Sequence, residues 1–116
     1  MSYDCCIVHE DDSPYMIAVA PQGGTRKMFP ETPTEAWFNI TYNYSKHIYR
    51  VLDGGIPGLD GRYVDETIEP IRKAIEKLGD DTDPDYWKPT EGNAKIALQG
   101  LVAMAVQCPG GIWRIL

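Results

Sequence analysis

A chain of 116 residues, 43% hydrophobic and 24% charged, is one domain of ordinary globular composition with a single core. Its formal net charge of −6 argues against broad binding to DNA or RNA backbones, which requires a basic face, and leaves docking on a basic protein surface open. Three cysteines, two of them adjacent (Cys5, Cys6) and one distant (Cys108), make no disulfide framework.

The start, MSYDCCIVHEDD, shows no basic segment followed by an apolar run, so no secretory signal and a reducing cytoplasmic setting are expected. Residues 3–9 (YDCCIVH) and 15–20 (YMIAVA) are short apolar runs rich in β-formers, with the turn-forming EDDSP between them. They predict a β-hairpin lying on the helices. Residues 21–33 hold enough Gly and Pro for a loop, with room for one extended piece at 26–29.

Residues 34–52 (TEAWFNITYNYSKHIYRVL) are ambiguous. Their aromatic and β-branched content suits a strand, but Trp37, Ile40, Thr41, Tyr44, Ile48, Val51 and Leu52 recur at three- and four-residue steps. The spacing predicts a helix, capped by Thr34 and stopped by Gly54-Gly55. Residues 53–63 are a glycine-rich connection, and residues 67–78 carry the amphipathic stripe Ile68, Ile71, Ile75, Leu78. Pro70 belongs in a first turn, which puts that helix start at 65–67. An acidic loop at 80–85 then leads to residues 90–106, apolar on nearly every side and shorter than the about 20 residues that cross a bilayer. This is the expected central helix, ended by Pro109-Gly110-Gly111, with the tail IWRIL apolar enough to pack back or to meet a partner. The class expected is α+β: an N-terminal β-hairpin and loop (1–33) on a small three-helix core (34–107) with a short tail (108–116).

No P-loop, nucleophile elbow, zinc-protease helix or Cys-x-x-Cys pair is present, so no catalytic constellation, metal or cofactor is expected. Cys5-Cys6 with His9 could hold a soft metal, but neighbours in a strand point to opposite faces. The run Asp80-Asp81-x-Asp83-x-Asp85 lacks the glycine and glutamate of a calcium loop. Two places offer more. The start of the last helix (Thr90, Glu91, Gly92, Asn93, Lys95) combines a cap, unpaired N–H groups, an amide and a cation, as an anion site would. The stripe Asn39, Asn43, His47, Arg50, flanked by Tyr42, Tyr44 and Tyr49, offers amides, a cation and aromatic faces, the groups of a nucleotide pocket or equally of a polar protein contact. A solvated helix face and an ordinary capped helix start account for the same residues.

The stretches NITYNYS (39–45) and YWKPTEGNAK (86–95), with the closing Pro109, Gly110, Gly111, Ile112, Trp113, resemble a group of small bacteriophage proteins without an assigned activity. The likeness spans about residues 34–113. It departs at the connection, where family members tend to read Gly-Ile-Arg and this chain has Gly55-Ile56-Pro57, with Arg62 further on. The resemblance implies a phage accessory protein, a class that includes inhibitors of host defence acting in the infected bacterial cytoplasm.

On this basis the expected function is a binding protein that antagonises a host defence system, with two mechanisms open. In one, Asn39, Tyr42, Asn43, Tyr44, His47, Arg50, Thr90, Asn93 and Lys95 share a pocket that sequesters a signalling nucleotide, in a homo-oligomer that deepens it. In the other, the acidic surface docks on a host protein. A small nucleotide-acting enzyme using His47 or Glu91, and a virion part, are the remaining classes.

Overall fold

The strand β1 (Ser2–Val8) organises the sheet, because both of its edges are paired. In the computed structural model, which describes residues 1–19 and 34–116, β1 lies between β4 (Trp37–Thr41) and β5 (Ile112–Ile115), antiparallel to both. The register sets Cys5 opposite Phe38, and Ile7 opposite Trp113. With the two-residue alternation of a strand, these four and Ile40 all fall on the face that meets the helices, and all are buried. Three helices cover that face: α1 (Ser45–Val51), α2 (Val64–Glu76) and α3 (Glu91–Ala105). The fold is α+β.

The expected hairpin forms only at its turn. His9 N–H donates to Ser13 O at 2.9 Å and reverses the chain, yet residues 8 and 14 make a single bridge. The returning pair β2 (Met16–Ile17) bonds instead to β3 (Thr34–Glu35), since β4 and β5 already occupy the edges of β1, and Pro14 has no N–H for a ladder. The extended piece expected at 26–29 lies outside the described residues.

The helix expected over 34–52 is corrected to strand, 3-10 turn and helix. Residues 37–41 extend as β4, residues 42–44 make a 3-10 turn, and only 45–51 are α-helical. The break comes at Thr41, whose backbone is extended (φ −62, ψ 143) and whose Oγ1 accepts from Asn43 N at 3.2 Å. Thr41 therefore takes the capping role assigned to Thr34. Phe38 and Ile40 on the strand, and Tyr44 and Ile48 beyond it, line one core. A period of two joined to a period of 3.6 through a single cap imitates a continuous helical spacing. The stop is as expected: Gly54 and Gly55 take φ of +77 and +60.

Helix α2 starts at Val64, just before the expected range, so Pro70 sits seven residues in and not in the first turn. Its missing N–H removes the i+4 helical donor to Glu66 O, at an exposed residue. The buried stripe runs Val64, Thr67, Ile71, Ala74, Leu78. Helix α3 is the central element anticipated, with Asn93, Ala94, Ala97, Leu98, Leu101, Met104 and Ala105 buried; Ile96, Gln99 and Ala103 face outward. The tail packs back as β5, and Trp113, fully buried, donates from Nε1 to Thr67 Oγ1 at 2.8 Å. Among the described residues no helix is long and apolar enough to cross a membrane.

Candidate functional site

The two polar clusters singled out in the sequence do meet, and what joins them is the segment 83–91. Asn43 Nδ2 donates to Trp87 O at 2.8 Å, and the Tyr44 hydroxyl donates to Tyr86 O. His47 Nε2 donates to Pro89 O at 2.8 Å. Because that carbonyl can only accept, Nε2 carries the proton and Nδ1 faces Arg50 Nη1 at 3.4 Å. Arg50 Nη2 pairs with Glu91 Oε1 at 2.9 Å across exposed surface, a contact of the weak kind. From the other side the Tyr86 hydroxyl accepts from Thr41 N at 3.0 Å and donates to Asn39 O at 3.3 Å. Burial pushes the phenols of Tyr44 and Tyr86 up, so both stay neutral donors.

At the start of α3 the expected anion site is filled by the chain itself. Thr90 Oγ1 accepts from Asn93 N at 3.1 Å, as a cap should, and Asp81 Oδ1 accepts from Gly92 N at 3.3 Å. Asp81 thus joins Glu91 of the first turn as negative charge at the positive end of the helix. Gly92 allows it: a Cβ there would lie 2.7 Å from Asp81 C and Thr82 N. The backbone that approaches so closely is the chain's own loop. Lys95 Nζ is held by Asp80 at 2.7 Å. Asn93, buried, spends its side chain on the same loop: Oδ1 accepts from Asp83 N at 3.0 Å, and Nδ2 donates to Asp85 O and Lys88 O, each at 3.1 Å.

Asn39 stands apart. It lies on β4, directly across from Asp4, and its Nδ2 donates to Ser2 Oγ at 2.7 Å and Asp4 Oδ1 at 2.9 Å. The single helical stripe expected from Asn39 to Arg50 is therefore split, because residue 39 belongs to a strand. Asn43, His47 and Arg50 stay together on α1 and the turn before it.

The other motifs are structural. Cys5 and Cys108 are buried and Cys6 half-buried; burial pushes the Cys5 thiol up, and that of Cys108 up to about 12. His9 stacks on Tyr15, with ring centroids 4.3 Å apart. In the acidic loop, Asp83 accepts from Asp85 N and Asp85 from Trp87 N, so these carboxylates cap turns. Among the described residues no three His, Cys, Asp or Glu side chains are grouped to hold a metal.

Concavities among the described residues include a smaller and a larger one beside this network. The smaller, about 190 Å³, lies behind the clamp between Tyr44, Asp83, Tyr86, Asn93 and Ile96. The larger, about 310 Å³, is lined by Tyr3, Tyr42, Pro57, Asp60, Ile115 and Leu116. Here the rings of Tyr3 and Tyr42 stand 4.3 Å apart, splayed by 47°. Tyr3 is steadied by Ser45, 3.0 Å between hydroxyls, and Tyr49 adjoins it: its phenol is held above the usual range by desolvation first and then by Tyr3. The ring of Tyr49 rests on Gly55, where a Cβ would lie 2.8 Å away. Of these residues only Tyr42 and Tyr49 stood among the candidate site residues of the sequence. The rest come from three distant segments, and no spacing links them.

The architecture defines a small α+β domain whose polar clamp fastens an acidic, proline-containing loop to two helices. Set against known proteins, the chain matches no family model, no curated protein and no solved structure.

Proposed function

We propose that the chain is a phage accessory protein that blocks a host defence component by direct protein contact, without turnover, in the cytoplasm of the infected cell. One observation carries the choice of contact over nucleotide sequestration. The groups that would read a nucleotide (Asn43, His47, Arg50, Thr90, Asn93, Lys95) are bonded within the chain itself, whereas Tyr42 and Tyr49 stand 38% and 51% exposed. Exposed aromatics on an acidic domain are the composition of a protein-binding face, and a charge of −6 steers toward a basic partner. The phage source is carried by the stretches 39–45 and 86–95 with the closing 109–113.

The test is the plating of a defence-restricted phage on cells that do or do not express the chain. Restored plating that is lost in Tyr42→Ala/Tyr49→Ala, with the variant still folded, supports the reading. In parallel, the purified chain is melted with mono-, cyclic di- and cyclic trinucleotides. A saturable rise in Tm that disappears in Arg50→Ala/Asn93→Ala overturns the contact mechanism in favour of sequestration.

A further inference from the structure

We infer that the cleft between Tyr3, Tyr42 and Asp60 receives an arginine side chain presented by the basic surface of a partner protein. The inference rests on the contact reading above and gives it an address. The lining decides the sign of the ligand. Its side chains include one carboxylate and no lysine or arginine, so an anion would enter without a counter-charge, while a cation meets Asp60 and two phenol rings. Aromatic faces attract cations through their quadrupole, most of all a flat guanidinium that can also stack.

The geometry of Asp60 fits the role. Its Oδ1 accepts from Ile115 N at 2.9 Å, which fixes the carboxylate at the rim, and Oδ2 has no hydrogen bond among the described residues. Tyr3 and Tyr42 pack against each other, centroids 4.3 Å apart and tilted by 47°, and present two adjoining aromatic walls beside the cleft. Pro57, Ile115 and Leu116 supply an apolar floor for the methylene stem of an arginine. Size also discriminates. A volume of about 310 Å³ sits at the lower limit of small-molecule sites, roughly 300 Å³, which suits one long side chain better than a dinucleotide.

The probe is N-acetyl-arginine amide, with N-acetyl-citrulline amide as a neutral counterpart of nearly the same shape, titrated at low salt into the ¹⁵N-labelled full chain. Saturable shifts of the Tyr3, Tyr42 and Ile115 amides are expected, with citrulline about tenfold weaker. Asp60→Asn keeps an oxygen for the Ile115 amide and removes only the charge; Tyr42→Leu removes one wall at an exposed position. Each is expected to weaken arginine about tenfold with an unchanged Tm. Equal binding of citrulline, or full binding by Asp60→Asn, overturns the inference. Failure of the probe with intact phage protection sinks the cleft and spares the proposed function; binding of the probe without protection does the reverse.

Discussion

Asn93→Ala is the sharpest probe of the clamp. Three hydrogen bonds leave with the amide, and Asp83 N, Asp85 O and Lys88 O lose their partner on α3. At a net 0.5–1.5 kcal/mol per bond, the loss is roughly 3 kcal/mol, since Asp85 and Lys88 are exposed and water can replace part of what goes. For a domain of this size that corresponds to a fall in Tm of about 10 °C and a large fraction of the typical 5–15 kcal/mol. Asn93→Asp should do worse: it keeps an acceptor for Asp83 N but turns a carboxylate toward two carbonyl oxygens. Urea unfolding gives the magnitudes, and hydrogen exchange at 83–90 shows whether the segment is released. A loss under about 1 kcal/mol for Asn93→Ala, with unchanged exchange, refutes the assignment of Asn93 to structure.

Gly92→Ala sets a methyl against loop backbone 2.7 Å away and is expected to cost more than the about 1 kcal/mol that alanine ordinarily gains in a helix, so Tm falls where propensity alone raises it. Thr67→Val leaves Trp113 Nε1–H buried without an acceptor; a loss of about 1–3 kcal/mol and a changed tryptophan emission are expected. Alkali should destabilise through the thiols. The folded state raises the pKa of Cys108 from 9.0 to about 12, so its contribution is complete below pH 9 and lost as pH climbs from 9 toward 12. Cys5 acts in the same direction, and a Tm–pH curve for Cys108→Val should fall less steeply over that window.

What the sequence made legible was decided by whether one segment served one element. The apolar run at 90–106 could be read because helix α3 is buried along most of its length and capped by the threonine that precedes it. Cys5 and Ile7 could be read as strand by alternation, but the partner of that strand could not. The choice of β4 and β5 over the returning chain depends on pairings 31 to 110 residues apart, which no local pattern encodes. Residues 34–52 misled because Thr41 joins two periods in one core. The site suffered the same way: Asn43, His47 and Arg50 were legible as one face because they share a turn and a helix, but whether that face met solvent or the chain's own loop was a tertiary fact. Asp60 and Tyr3 carried no local signal at all.

The element from 42 to 51 has two working sides, and this ties the clamp to the cleft. Asn43 and His47 reach toward Trp87 and Pro89, while Tyr42 and Tyr49 turn toward Tyr3 and Gly55. The 3-10 turn that carries Tyr42 has a single side-chain cap, Thr41, a backbone bond from Tyr42 N to Met1 O at 3.1 Å, and the hold of the loop through Asn43 and Tyr44. Freeing the loop therefore loosens one wall of the cleft without touching its lining. Asn43→Ala should weaken arginine binding modestly, by less than Asp60→Asn, and should do so together with faster amide exchange at residues 42–46. Equal weakening with no change in exchange would place Asn43 in direct contact with the ligand. Unchanged binding alongside faster exchange would show that the tyrosine wall is held by Tyr3, Ser45 and the Met1 carbonyl without the loop.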